Sequence, residues 1–242
     1  MTRRLGTRRL GTRRLGAAVA ALVAGAGAAG AQEVGYPPTR SPFRDLEFRQ
    51  NVSFLAGYFH AAKDPVGVAP RGGPMVGVQY DLGFGGPAIF TTRVRTVASE
   101  RTAIDPARPE GQRRLGTEQR PLTIVDAGLT LALTGQRSFR GVVPLVHTGV
   151  GVASNFAGAD PGGYRFGTSF AFAYGLGARF VPRASRFALR ADVGNTVYRV
   201  RYPDGYRRVG LDGTAVQPAD ARAQRYLSNT AVTAGVSYQF RR

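Results

Sequence analysis

The chain has 242 residues, 33 lysines and arginines against 15 acids, and no cysteine. The lack of cysteine excludes disulfides, thiolate metal sites and a cysteine nucleophile. A net charge of +18 suggests an acidic partner, either a nucleic acid or an anionic membrane surface.

The N-terminal 31 residues have the pattern of a secretory signal peptide. Three repeats of a basic pentapeptide (residues 2–16) precede an apolar stretch rich in alanine and glycine, and Ala29-Gly30-Ala31 forms a small-residue cleavage site. We therefore predict a signal peptide over residues 1–31, a periplasmic N-terminal extension over 32–46 and a single folded domain over 47–242.

Large apolar residues alternate with small or polar ones in eight segments of the remaining chain. A period of two indicates β-strands rather than helices, and each segment has about the 9–11 residues that a tilted strand needs to cross a bilayer. The predicted strands are residues 48–59, 74–84, 88–98, 121–133, 142–153, 166–180, 187–199 and 228–240.

The connections between these segments alternate between long and short. Short periplasmic turns, long outside loops and an even number of strands are typical of outer-membrane barrels. The sequence thus predicts an all-β fold, an eight-stranded antiparallel up-and-down transmembrane β-barrel. Its apolar face contacts lipid, and its face of small and polar residues lines a narrow lumen.

Aromatic residues fall near both ends of the predicted strands, as in the two aromatic girdles of such barrels. The turn-end set is Phe48, Phe90, Phe180, Phe187, Tyr238 and Phe240. The loop-end set is Tyr58, Tyr164, Phe166, Tyr198, Tyr202 and Tyr226.

The signal peptide, the eight amphipathic strands and the terminal stretch VSYQF together resemble the small OmpA-type outer-membrane β-barrels. Val236, Tyr238 and Phe240 resemble the C-terminal signature by which the barrel-assembly machinery recognises that family. The resemblance implies a bacterial outer-membrane location, contact with outer-membrane lipids including lipopolysaccharide, and the assembly machinery as a partner during insertion. Arg241 and Arg242 depart from the pattern, because the terminal aromatic residue usually ends such chains.

Inward-facing charges are expected to close the lumen. The strand polarity places one lumen charge cluster at mid-barrel: Arg93, Arg95, Asp126, His147, Arg190 and Asp192. Since unpaired buried charges are costly, we expect the pairs Arg93–Asp126 and Arg190–Asp192. Asp81 and Arg179 are expected to form a lower lumen layer near the periplasmic mouth.

Four arginines of the long loops are candidates for contact with lipopolysaccharide phosphates, which guanidinium groups bind bidentately. They are Arg113, Arg114, Arg207 and Arg208. The alternative is a solvated charged loop. Because the arginines are spread over the chain rather than along one stripe, we expect no nucleic-acid partner.

Catalysis is the remaining alternative. Some eight-stranded barrels modify lipid A through a serine and a histidine, and this chain offers only His60 and His147, with Ser53 and Ser154 as nearby serines. No spacing of metal ligands is present, and we expect no metal, no cofactor and no catalytic residue. The leading hypothesis is a non-catalytic structural or surface-interaction barrel. A small passive pore is second, and a lipid-A-modifying hydrolase or acyltransferase is third. The sequence leaves the oligomeric state open.

Overall fold

The computed structural model of the protein describes residues 41–46, 48–183 and 185–240. The predicted signal peptide and residues 32–40 of the predicted extension lie outside this range, as do Arg241 and Arg242. Within it, no helix is both long and apolar enough to cross a membrane.

The described chain is built almost entirely from β-strands. In chain order they are β1 (Phe43–Asp45), β2 (Gln50–His60), β3 (Gly73–Gly85), β4 (Ala88–Val97), β5 (Glu100–Ile104), β6 (Arg114–Gln119), β7 (Leu122–Ala132), β8 (Arg137–Phe139), β9 (Val142–Ser154), β10 (Thr168–Phe180), β11 (Phe187–Arg201) and β12 (Gln224–Phe240). Two short 3₁₀ turns, Glu110–Gln112 and Asp204–Arg207, lie in the long loops.

Eight of these strands form a closed antiparallel barrel in the order β2-β3-β4-β7-β9-β10-β11-β12, and β12 pairs back onto β2. Closure satisfies every backbone group and leaves no free edge. The predicted fold class is therefore confirmed, and each predicted strand matches one barrel strand to within a few residues. At the start of β10 the strand begins only at Thr168, because Gly167 adopts a positive φ of 63° and breaks the alternation.

Sequence analysis missed two smaller β elements. Strands β5 and β6 form a hairpin inside the second long loop, where no period-two pattern is visible. Strand β1 pairs with β8 at the turn end of the barrel, inside the region that we predicted as an extension. Strands β5 and β6 pair only with each other, whereas β1 depends on pairing with the distant β8.

The barrel strands present their large apolar residues outward, as the alternation predicted. Phe54, Phe170, Leu176 and Val232 are each more than half exposed on the outer face. With the exception of Leu55, their neighbours in sequence are small or polar, and they point into the barrel, where the diameter of an eight-stranded barrel leaves little space.

The predicted loop-end aromatic girdle is partly wrong. Tyr58 and Tyr226 are exposed, but the other four members, Tyr164, Phe166, Tyr198 and Tyr202, are buried. The alternation of β11 already places Tyr198 on the same inward face as Arg190. The other three belong to loop segments that fold inward, which strand periodicity does not describe.

These aromatics form part of an apolar core that fills the loop end of the barrel. Its members come from both the strand ends and the loops: Phe59, Val66, Val68, Ala69, Met75, Val97, Ile104, Leu122, Ile124, Ala153, Tyr164, Phe166, Ala171, Tyr198, Val200, Tyr202, Tyr206, Leu227 and Ala231. The long loops therefore close the barrel at this end, above the polar interior.

Candidate functional site

The barrel interior holds two ion clusters, and the first is centred on Asp126. The β4–β7 register places Arg93 directly opposite Asp126. Arg93 Nε donates to Asp126 Oδ1 at 2.8 Å, and Arg95 Nη2 donates to Oδ2 at 2.5 Å. All three side chains are almost completely buried. One carboxylate is thus shared by two guanidinium groups.

The second cluster is centred on Arg190. Its Nε and Nη2 donate to the two carboxylate oxygens of Asp192 at 2.7 and 2.9 Å, and its Nη1 donates to Asp81 Oδ2 at 2.9 Å. Asp81 Oδ1 also accepts from Gln79 and Thr91. All three guanidinium nitrogens of Arg190 are therefore paired with carboxylate oxygens inside the barrel.

Asp81 and Arg179, which we expect in a lower layer, are close enough for their charges to attract each other, but they make no direct contact. Asp81 belongs to the Arg190 cluster, and among the described residues no ion pair joins it to Arg179. Arg179 lies nearer the short turns, beside a cavity described below. Asp81 pairs with Arg190 because the long arginine side chain reaches across the lumen. The height of a residue along its strand does not predict this reach.

His147 lies between the two clusters and packs against Gly175 and Gly194. A Cβ on Gly175 would lie 2.7 Å from His147 Cε1, and a Cβ on Gly194 would lie 3.1 Å from Nε2. The imidazole is buried, and Nδ1 has no partner among the described residues. The two glycines are therefore what makes room for an aromatic ring inside so narrow a barrel.

Little empty space remains at this level of the interior. The cavity bounded by Arg93, Arg95, His147, Asp192 and neighbouring side chains has a volume of about 20 Å³. A water molecule needs about 10–15 Å³, so this space holds about one water. It does not form a column of water.

The loop arginines fall into two groups. Arg113 is buried and is held by Asp212 at 3.1 Å, the Thr214 hydroxyl at 2.7 Å and the Arg108 carbonyl at 2.9 Å. It joins two loops and is not available to lipid, which corrects the expectation for this residue. Arg207 pairs with Asp204, whereas Arg114 and Arg208 are exposed.

A buried ionic contact in the loop cap escaped sequence analysis. Arg101 of β5 lies 3.5 Å from Asp160 and 3.6 Å from Glu118, and its guanidinium stands over the Tyr164 ring at 5.2 Å. Burial raises the pKa of Asp160 above its ordinary range, although the Tyr164 N–H and the Arg101 charge act in the opposite direction. Burial likewise raises the pKa of Tyr206. The cap is thus tied across two loops by groups that are shielded from water.

Comparison with known proteins agrees with this architecture. No protein-family profile matches the chain, and no curated sequence matches it. The outer membrane protein OprG from Pseudomonas aeruginosa matches in structure over 82% of this chain and 99% of its own, with 11% sequence identity and a TM-score of 0.50. The chain has the fold of a small outer-membrane β-barrel.

Two further solved barrels are similar at lower scores. Neisserial surface protein A covers 79% of this chain and 97% of its own, with 11% identity and a TM-score of 0.48. The attachment invasion locus protein Ail of Yersinia pestis covers 78% and 99%, with 15% identity and a TM-score of 0.33.

The serines of this small barrel are engaged away from its histidines. Ser53 Oγ lies 2.7 Å from Ser237 Oγ, and Ser154 Oγ accepts from Thr168 Oγ1 at 3.0 Å. His60 packs on Tyr58 at a ring-centroid distance of 4.7 Å. Among residues 41–240 as described, no group of three histidine or acidic side chains could hold a metal ion.

The C-terminal signature residues lie at the turn end of β12. Val236 and Phe240 are exposed on the outer face. The Tyr238 ring packs edge-on against both Phe240 and Phe187, at centroid distances of 5.1 and 5.3 Å. Phe187, Tyr238 and Phe240 form a small aromatic patch at the turn end of the barrel.

Proposed function

We propose that the protein is a bacterial outer-membrane barrel with a structural or surface-interaction role, without catalysis and without a conducting pore. Its outer face of exposed aromatic and aliphatic side chains suits hydrocarbon. The long loops are then extracellular, and the short turns are periplasmic.

The filled interior carries this proposal. Two ion clusters occupy the barrel at mid-height, and a cavity of only about 20 Å³ remains beside them. Above them the apolar core of the loop end closes the mouth. A hydrated ion has no path through either layer, which is why we rank the passive pore second.

Conductance in planar lipid bilayers tests the closed lumen. We expect the purified barrel to give no discrete unit conductance at moderate voltage. The matched comparison is a variant with Arg93→Ala and Asp126→Ala, which removes two of the three charged side chains of one cluster and should give openings if the ion clusters are the barrier. Regular conductance steps from the unaltered protein would instead favour the pore.

The loop surface supports interaction with the outside. Arg113 and Asp212 join two loops, and Arg101 and Asp160 join two more segments, so the cap is held in a fixed shape. Arg114 and Arg208 project from this cap into solvent. We propose that these two bind lipopolysaccharide phosphates, and that Arg207 contributes when it exchanges its intramolecular carboxylate for a phosphate.

Stability in defined lipids tests this lipid contact. The barrel should be more heat-resistant in bicelles containing lipopolysaccharide than in phosphatidylcholine alone. A double variant with Arg114→Gln and Arg208→Gln should lose that difference. The control, Arg183→Gln with Arg186→Gln, alters exposed arginines at the opposite end and should keep it. Equal behaviour of both double variants would remove the lipid role from the loop arginines.

The absence of catalysis is supported by the placement of the serines and histidines described above. Expression of the protein should leave the lipid A profile of the host unchanged by mass spectrometry. An altered profile that His147→Ala abolishes would establish the hydrolase or acyltransferase alternative.

A further inference from the structure

The charges inside the barrel do not balance. The inward-facing charged residues of the described strands are Arg93, Arg95, Arg179, Arg190, Asp81, Asp126 and Asp192. The three carboxylates are all taken up by Arg93, Arg95 and Arg190. One positive charge, that of Arg179, is left over.

Arg179 is buried, and among the described residues no carboxylate forms a hydrogen bond or ion pair with it, although Asp81 attracts it from a greater distance. Only 3% of the residue is exposed, and its Nε and Nη1 have no hydrogen-bond acceptor among the described residues. The β10–β11 register also places it directly beside Arg190, a second cation. An isolated buried charge of this kind is strongly unfavourable unless a counter-ion joins it.

A cavity lies next to this unpaired guanidinium. It has a volume of about 260 Å³ and opens at the end of the barrel that carries the short turns. Residues of the β3–β4 turn, Gly85 and Gly86, form one side, and Gly135 and Gln136 of the β7–β9 connection form another. We call this space the turn-side cavity.

The lining of the turn-side cavity combines cationic and apolar groups. Arg179 lies at its inner end, and Arg49, which is exposed, adds a second positive charge. Leu46, Phe48 and Ile89 provide an apolar wall. No carboxylate is among the described residues that line it.

We propose that the turn-side cavity binds a small organic carboxylate with a short apolar substituent. Arg179 lies at the inner end of the cavity, where its positive charge attracts a carboxylate, and the apolar wall accommodates the substituent. Phosphate is also negatively charged, but it has no apolar group that could pack against this wall. The site goes beyond the proposed function, because ligand binding at this end does not depend on whether the lumen conducts.

Titration with propionate tests the proposal. The purified full barrel in detergent micelles is titrated with ¹³C-labelled propionate at constant ionic strength, and the ligand signals are followed by NMR. We expect saturable binding that weakens at least tenfold in Arg179→Gln. Arg208→Gln, which removes an exposed loop charge at the other end, is the matched control and should bind as the unaltered protein does.

Three further results have defined meanings. Arg179→Lys keeps the charge without the fork, so it should fold and bind several-fold more weakly, which keeps the test valid if Arg179→Gln does not fold. Absence of saturable binding to the unaltered protein, or phosphate binding as tightly as propionate, would overturn the proposal.

Discussion

At the scale of single residues, Asp126 is a buried carboxylate that two buried arginines share. It balances Arg93 and Arg95 in an interior that excludes water. Removing one partner of such a buried set leaves the remaining charges uncompensated, which costs far more than the net contribution of the intact set.

Asp126→Asn should therefore lower the free energy of unfolding by about 3–5 kcal/mol. Since the chain has no tryptophan, urea unfolding in phospholipid vesicles is best followed by gel mobility of folded and unfolded forms. The matched control is Asp45→Asn at the Arg137 pair, whose side chains are 81% and 63% exposed, where we expect a loss below about 1 kcal/mol. Equal losses of unfolding free energy at the two sites would mean that water solvates the Asp126 cluster.

A second residue-scale prediction concerns the outer face. Leu176 is 55% exposed on β10, and an arginine near the bilayer midplane costs about 2–4 kcal/mol. Leu176→Arg should show that loss in the same unfolding assay. Leu211→Arg is the control, because Leu211 is a fully exposed loop residue and its replacement should be neutral. A stable Leu176→Arg barrel would place this face away from lipid.

At the scale of elements, the long loops behave as folded parts of the molecule. The β5–β6 hairpin contributes Arg101, and the connection between β9 and β10 contributes Asp160 and Tyr164. Asp160 Oδ1 also accepts the Tyr164 N–H at 2.8 Å. These contacts tie the loops together over the apolar core.

Asp160 gives the cap a defined pH dependence. Its pKa is higher in the closed cap than the ordinary value of about 3.9. The closed state therefore binds the proton more tightly than the open state, so closure gains stability as pH falls through the raised pKa and gains no more below about 3.9.

Hydrogen exchange at the Tyr164 amide measures this effect. Its protection factor, corrected for the intrinsic exchange rate, should rise as pH is lowered from neutral towards 4. Asp160→Asn keeps an oxygen that accepts the Tyr164 N–H but does not titrate, so its protection should stay constant over the same interval. A fall in protection on acidification of the unaltered protein would show that the Arg101 attraction, rather than desolvation, dominates.

At the scale of the whole molecule, we expect Phe240 at the end of β12 to matter for assembly in the membrane rather than for the stability of the folded barrel. Phe240 ends the described strand and is exposed on the outer face, packed only against Tyr238 among the ring contacts of the described chain. Its removal costs little packing, yet the resemblance to OmpA-type barrels implies that the assembly machinery reads it.

Phe240→Ala should therefore slow the appearance of folded protein in cells while leaving refolding in vitro nearly unchanged. Pulse-chase labelling with heat-modifiable gel mobility measures both. Phe187→Ala removes another exposed aromatic at the same end, and deletion of Arg241 and Arg242 alters the adjacent terminus. Both should insert at the normal rate, and slow insertion of Phe187→Ala would point to a general aromatic effect.

The sequence by itself determined the barrel strands of this protein. Lipid on one side and a narrow interior on the other impose a period of two on every barrel strand. The alternation within β10 alone therefore predicts that Phe170 and Leu176 point outward and that Gly175 faces the interior. It also determined that Arg93 and Asp126 lie at similar heights, since a strand rises about 3.3 Å per residue. These are local properties that one strand expresses alone.

Only the tertiary structure decided which groups meet. Tyr164 and Tyr202 belong to the apolar core because the loops fold back over the mouth of the barrel. Arg113 forms a hydrogen-bonded ion pair with Asp212, which lies about a hundred residues away in another loop. Asp81 pairs with Arg190 rather than Arg179 because a long guanidinium side chain reaches across the lumen. Contacts between distant segments depend on barrel shear, loop path and side-chain reach. None of these leaves a periodic trace in the sequence. That Arg179 has no ion-pair partner among the described residues follows only from the contacts that the three lumen carboxylates make.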